Sequence, residues 1–352
     1  MHNFEYKENA CKLLTPEIVN LLSSIYEHKG RQQLFVEAKK DELNTLLEIA
    51  KIQSTESSNQ IEGIITTNSR LKQLVENKTT PRNRDEQEIL GYRNALNIIH
   101  ESYEAIPVRS SYILQLHGEL LKHTAFSYGG KFKTTPNEID MVLENGEKIV
   151  LFKPLEPYET PSAVECLCEE YNKAYGEGIV DPLILIPNFI LDFLCIHPFN
   201  DGNGRMSRLL TLLLLYRAGY IVGQYISIEK AIADTKETYY EILQQADRGW
   251  HSGENDPKPF IKYMLGIILS CYREFESRVS LAAKTGKKSS AYDIVKSFTE
   301  NTLGKFSKQD ALLSCPSLGS SSVESALKKL VEEGAIIKTG AGRKTMYMRN
   351  IN

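Results

Sequence analysis

No stretch of this 352-residue chain stays apolar long enough to cross a bilayer. The greasiest runs are Leu183–Ile196, interrupted by Pro187, Asn188 and Asp192, and Leu209–Leu215. Both fall short of the roughly 20 residues that a spanning helix needs. The start, Met1-His2-Asn3-Phe4-Glu5-Tyr6, lacks the basic residues and apolar stretch of a secretion signal. The six cysteines (Cys11, Cys166, Cys168, Cys195, Cys271 and Cys315) lack metal spacing, because Cys166-x-Cys168 is tighter than a C-x2-C knuckle. There is no internal repeat and no long low-complexity segment. These absences exclude a membrane-spanning chain, a disulfide scaffold and a disordered one, and they predict a reduced, cytoplasmic protein with no membrane partner. What is present is ordinary: 41% apolar and 25% charged residues, and enough length to bury a core without crosslinks.

The net charge of −3 hides an asymmetry. From Lys284 to Asn352 there are 12 Lys and Arg against 6 Asp and Glu, while the remainder holds 30 and 39. A basic end of this kind marks a separate module and raises the question of nucleic acid, although a solvated basic face is the commoner explanation.

From Pro16 to Val75 the pattern is helical, with Leu34, Ala38, Leu43, Leu46, Leu47 and Ala50 at three-and-four spacing. Lys78-Thr79-Thr80-Pro81-Arg82-Asn83 is a polar break, and helices follow over about 85–103 and 110–123. Between Tyr128 and Pro157 the pattern changes. Lys131–Thr135 is a short strand candidate, and Met141–Leu143 and Ile149–Phe152 flank Asn145-Gly146, a hairpin turn signal. Helices resume near Pro161 and run to Ser277. A polar linker, Ala282–Ser290, leads to a compact tail. There Tyr292–Thr299 predicts one helix, and Ser307 with Asp310 opens a second. Ser321, with Glu324 as capping-box partner, opens a third. Strands over 335–339 and 345–349 flank Gly340-Ala341-Gly342. Three helices and a hairpin resemble a winged helix-turn-helix.

One segment carries chemistry: His197-Pro198-Phe199-Asn200-Asp201-Gly202-Asn203-Gly204-Arg205-Met206-Ser207-Arg208. Pro198 disfavours the α conformation at His197 and ends the apolar helix before it. Gly202 and Gly204 straddle Asn203, so the loop can turn its amides inward as an anion nest, next to the positive end of the following helix. Arg205 and Arg208 lie on one face of that helix's first turns, where their charges oppose the dipole unless they hold an anion. Asp201 is a hard carboxylate suited to Mg²⁺, and His197 can exchange a proton near neutral pH. A phosphate cradle, a metal ligand and a base together point to phosphoryl or nucleotidyl transfer.

This segment resembles the Fic-domain signature H-P-F-x-[D/E]-G-N-G-R-x-x-R at every specified position, and the likeness extends over about 110–280. The resemblance implies a mainly α fold, a Fic-type helical core with a small β-hairpin flap, between an N-terminal helical domain and a C-terminal winged helix domain. The expected boundaries are 1–105, 106–281 (flap about 131–154) and 282–352. It implies a protein adenylyltransferase that moves AMP from ATP to a hydroxyl of a target protein docked on the flap by strand addition, self-modification included. On that analogy His197 is the base, Asp201 holds Mg²⁺, and Phe199 is a buried anchor. The nucleotide meets Asn200, Asp201, Gly202, Asn203, Gly204, Arg205, Met206, Ser207 and Arg208. Tyr239-Tyr240 resembles the family's adenosine-side tyrosine pair, and a plain amphipathic helix explains those residues as well. Gly204 stands where kinase-like relatives carry Lys. Homodimers are common among relatives.

Ser58-Asn59-Gln60-Ile61-Glu62-Gly63 fits the family's inhibitory motif [S/T]-x-x-x-E-[G/N]. The resemblance implies that Glu62 pairs with Arg208 and excludes the γ-phosphate, with Ser58 one turn away steadying the helix. Two rivals stay open. One is a Fic enzyme that mainly removes AMP. The other is a DNA-binding regulator with the Fic domain as nucleotide sensor, using residues 284–352 and Lys308, Lys328, Lys329, Arg343 and Lys344 against phosphates. His100, His117 and His123 read as packing or surface residues.

Overall fold

The structure, a computed structural model, describes residues 3–38, 40–142, 148–284, 291–302, 304–315, 318–340, 342 and 345–350. The Asn145-Gly146 turn, most of the 282–290 linker, Ala341, Arg343 and Lys344 lie outside the described residues. The chain is mainly helical, and its contacts gather it into two compact units. One comprises residues 1–37 and 46–273, the other residues 38–45 and 274–352.

The first unit opens with α1 (Tyr6–Leu13), α2 (Pro16–Ala38), α3 (Lys40–Ile61) and α4 (Asn68–Val75). The polar break precedes α5 (Arg84–Ser102), whose start is capped by Asn83 accepting from the Glu86 amide. Then come α6 (Ser110–Leu121), α7 (Thr160–Glu177) and α8 (Pro182–Ile196). These are followed by α9 (Asn203–Arg217), α10 (Ile228–Asp234), α11 (Lys236–Ala246) and α12 (Lys258–Lys284), which runs on into the second unit. Every residue of α8 from Leu183 to Ile196 is buried, as are nearly all of α9. These two apolar helices form the centre of the unit, with α7 against α8 and α5 against α6 and α9.

One hairpin interrupts the helices: β1 (Ile139–Val142) pairs antiparallel with β2 (Lys148–Phe152), with an irregularity between Ile139 and Asp140. The strand expected over 131–135 does not form. The Lys133 amide turns to the loop after α8 instead, reaching the Pro198 carbonyl at 2.9 Å, and the Lys131 amide turns back on Tyr128 O.

In the second unit, α13 (Ala291–Asn301), α14 (Lys308–Ser314) and α15 (Ser320–Glu332) enclose Val295, Ala311, Val323, Leu327 and Leu330. Ser307 and Asp310 make a complete capping box at α14. The box expected at Ser321 and Glu324 is absent: the N-cap lies two residues earlier, at Gly319, and Glu324 pairs with Lys308. A strand missed by pattern reading, β3 (Lys305–Ser307), lies beside β5 (Met346–Arg349), which also pairs with β4 (Ile336–Thr339).

Candidate functional site

The loop between α8 and α9 holds the motif. His197 caps α8 with its amide on Phe193 O (3.0 Å) and takes a left-handed backbone, φ 49° and ψ 62°. Pro198 ends the helix here as its spacing predicts, and the helix cap selects the left-handed turn, a conformation that costs a non-glycine residue about 1–3 kcal/mol.

Two residues ahead of the hairpin hold that turn. Lys133 Nζ donates to Ile196 O (3.2 Å), the Lys133 amide to Pro198 O, and Asn137 Nδ2 to His197 O (3.4 Å) and Phe199 O (3.0 Å). Four consecutive carbonyls, from Ile196 to Phe199, are thus taken up by Lys133 and Asn137. Burial pushes the Lys133 ammonium down to about 8.

Asn203, the first residue of α9, clamps the loop internally: its Oδ1 accepts from the Phe199 amide (2.9 Å) and its Nδ2 donates to Phe199 O (2.7 Å). Phe199 is fully buried and stacks on His117 with ring centroids 3.7 Å apart. His117 Nδ1 accepts from the Gly130 amide (3.1 Å), so its Nε2–H donates to Asp201 O (3.0 Å). His117 is therefore more than packing: it ties α6 to the loop. Gly202, with φ 84°, provides the positive-φ N-cap of α9.

The His197 ring follows from this frame. Its Nδ1–H donates to Leu194 O at 3.3 Å, leaving the Nε2 lone pair as a base. Burial, and then the Lys133 charge, push its pKa down to about 4, so the ring is neutral at physiological pH.

Both arginines of the motif are paired within the chain. Arg205 Nη1 lies 2.7 Å from Glu88 Oε2, with both side chains fully buried, and its Nη2 lies 3.4 Å from Asp201 Oδ1. Arg84 donates to Glu88 Oε1 (2.7 Å) and reaches within 3.8 Å of Asp201 Oδ2, closing a ring of alternating charges. Arg208 donates through Nε to Ser58 Oγ (2.8 Å), and through Nη2 to Ser58 O (2.9 Å) and Glu62 Oε1 (2.6 Å).

Glu62 reaches that position because α3 stops there. Gly63 turns with φ 79°, and the amides of Glu62 and Ile64 fold back on Asn59 O. Its carboxylate covers the start of α9 so closely that a Cβ on Gly204 would stand 2.3 Å from Glu62 Oε1. Burial pushes the Glu62 carboxyl up, but the Arg208 charge and hydrogen bond, with Arg205 and Lys236 behind them, hold it below its ordinary range.

The other expected residues divide. Asn200 is exposed on the loop. Met206 is fully buried, and Ser207 Oγ donates to Gly204 O (2.7 Å), so neither side chain faces the cradle. Tyr239 is buried against Phe260 and Tyr263, whereas Tyr240 is 42% exposed. The Glu62 and Arg208 charges act on both phenols, which places the pair beside the cradle.

Asp201 is the oxygen donor for a cation. Its side chain is 36% exposed, its Oδ1 accepts from the Gly202 amide (2.6 Å), and its Oδ2 lies 3.8 Å from Arg84. One accessible carboxylate beside an anion cradle fits Mg²⁺, which takes few protein ligands and completes its shell with phosphate and water. With amides at a helix start, two guanidiniums and a neutral imidazole, the loop can bind a polyphosphate and accept a proton at one atom.

Residues 107–215 match the model of the Fic/DOC family. They are a Fic domain. The protein adenylyltransferase Fic of Nematostella vectensis is 27% identical over 226 residues, 59% of this chain and 44% of that relative. The chain spans less than half the length of the curated relatives it matches. A Fic family protein from Desulfovibrio desulfuricans has the same fold, with TM-score 0.63 and 21% identity over 96% of this chain and 97% of that one. A Fic domain containing signaling protein from Bacteroides thetaiotaomicron gives TM-score 0.61 and 25% identity, over 75% of this chain and 97% of its own.

Around the Fic motif, pattern reading missed Arg84, Glu88, Lys133 and Asn137, and underread His117. Arg84 and Glu88 carry a visible signal, opposite charges four apart on a predicted helix. Lys133 and Asn137 carry none, because their partners are backbone carbonyls over 50 positions away. In the second unit, Lys328 and Lys329 each lie 3.9 Å from a carboxylate one turn on, Glu332 and Glu333. Among the described residues no helix is long and apolar enough to cross a membrane.

Proposed function

We propose that this chain is a protein adenylyltransferase, transferring AMP from ATP to a hydroxyl side chain of a target protein, and that Glu62 brakes it from within. The observation that carries the reading is the complete motif folded as a cradle, with a neutral His197 offering Nε2 and Glu62 occupying Arg208. In the reaction His197 Nε2 takes the proton of the acceptor hydroxyl. The hydroxyl oxygen bonds to the α-phosphorus as the bond to the bridging oxygen breaks, and pyrophosphate leaves. The amides of Gly202, Asn203 and Gly204 bind phosphate oxygens at the helix start. Arg205 supports the β-phosphate and Arg208, once freed, receives the γ-phosphate. Asp201 would hold Mg²⁺, which when bound neutralises charge on the triphosphate. Tyr240 lines the adenosine side, with Tyr239 behind it.

The β1–β2 hairpin docks the target, where Ile149 and Val150 are 40% and 41% exposed. A reducing cytoplasmic setting belongs to the same reading, supported by six cysteines of which none forms a disulfide among the described residues.

The test uses wild type, Glu62→Gly and His197→Ala with α-labelled ATP, Mg²⁺ and lysate as target source. Label on protein in Glu62→Gly, weak in wild type and absent in His197→Ala, is the expected result. Absence of label in all three overturns AMP transfer.

A further inference from the structure

α3 carries more than the glutamate. Ser54, Ser58 and Glu62 recur every four residues and so share one face of its line. Ser58 and Glu62 meet Arg208, as described above. Ser54, one turn earlier, meets something else. Its hydroxyl donates to Glu229 Oε2 at 2.7 Å and contacts Ser227 Oγ at 2.9 Å. Glu229, on α10, is fully buried, and its other oxygen accepts from the Tyr92 phenol of α5 at 2.9 Å. Ser54 thus ties α3 directly to the Glu229 carboxylate that Tyr92 holds from its other side, and Ser58 and the Arg208 charge act on the same phenol.

Ser54, Tyr92 and Ser227, whose Oγ lies 3.2 Å from Oε2, all donate to Glu229. Ser58 Oγ accepts from Arg208 Nε. Three hydroxyls thus converge on one buried carboxylate, and hydrogen bonds of this kind are strong in a low-dielectric interior. Ser54, Ser58, Tyr92 and Glu229 are all at most 1% exposed, so water cannot replace a missing member.

We infer that Glu229 and Tyr92 are positioning residues of the brake, holding α3 in the register that presents Glu62 to Arg208. The inference rests on the proposed function for its activity readout and extends the device beyond the Ser58–Glu62 motif. Neither residue touches the loop from His197 to Gly204 in any described hydrogen bond, so their effect on transfer runs through α3 and Arg208.

The experiment places Tyr92→Phe and Ser54→Ala, two small deletions, in wild-type and Glu62→Gly backgrounds and measures AMP transfer and amide exchange over residues 54–62. Tyr92→Phe leaves Glu229 Oε1 without its donor, and Ser54→Ala cuts α3 from Glu229 while Oε2 keeps Ser227, so transfer should rise about fivefold in the wild-type background and change less than about twofold where Glu62 is already gone. Amide exchange over 54–62 should accelerate in both variants. Equal changes in the two backgrounds, or a loss of transfer in both, would assign the residues to general stability or catalysis and overturn the inference. Unchanged exchange over 54–62 overturns it too. Exchange is read even if Glu62→Gly transfers nothing, which separates failure of this inference from failure of the adenylyltransferase reading.

Discussion

Glu62 and Arg208 stand 146 positions apart in the chain and 2.6 Å apart in the fold. The carboxylate closes a guanidinium fork that Ser58 already holds through its hydroxyl and its carbonyl. This arrangement gives a distinct expectation for charge and for pH.

Glu62→Gly should raise AMP transfer about tenfold or more, since losing a partly buried charge competitor can be worth ~2 kcal/mol. The Glu62 pKa is lowered, so its contribution is complete above the ordinary carboxylate value and is lost only as pH falls through the depressed one. The ratio of Glu62→Gly to wild-type activity should therefore be flat from about pH 5.5 to 8. Relief of the wild type by mild acid alone would contradict the pairing.

Gly204→Ala puts a methyl where Glu62 Oε1 now lies, 2.3 Å from the new carbon. The carboxylate is the flexible end and must move. Gly204→Ala should thus cost stability in the wild type and about 1 kcal/mol less in Glu62→Gly, a coupling readable in a double-mutant melting cycle. Additive changes in melting would show that the glycine and the glutamate do not meet.

His197 and His117 are pushed down to about 4 and His100 to about 3, all by burial first. Unfolded histidine titrates near 6.5, so below that pH the unfolded chain binds protons the folded one refuses. Stability should fall as pH drops from about 6.5 towards 4, losing more than one histidine alone would cost. His100→Asn should flatten the slope of melting temperature against pH in that window, and an unchanged slope would remove His100 from the account.

Lys133→Ala removes the ammonium from Ile196 O and Asn137 Oδ1, and Asn137→Ala frees the carbonyls of His197 and Phe199. Each should relax the left-handed turn at His197. In the Glu62→Gly background we expect kcat to drop about tenfold with ATP affinity little changed, because displacements near 1 Å at a reacting group cost this much or more. A loss confined to ATP affinity would place both residues in nucleotide binding instead.

Local signals made most helices legible. Ser307 with Asp310 at α14 acts within a turn of its own position, so spacing reveals it, and the polar break that ends at Asn83 marks the start of α5. Where a local signal competed with a tertiary one it failed. The Lys131–Thr135 segment reads as a short strand, but Lys133 in it donates to the loop after α8. Ser321 has a capping partner in sequence, yet Glu324 is drawn to Lys308.

For the site itself, the sequence alone determined the helix–loop–helix that carries the motif. Pro198, Gly202 and the apolar runs on either side restrict backbone angles and burial within a dozen residues, and that range is short enough for pattern to specify. Only the tertiary structure decided the charge state and occupancy of the cradle. Those depend on Lys133 beside His197, Glu88 on Arg205, and Ser58 and Glu62 on Arg208. Electrostatic and hydrogen-bond energies fall off with distance through space, and separation along the chain says nothing about that distance until the chain has folded.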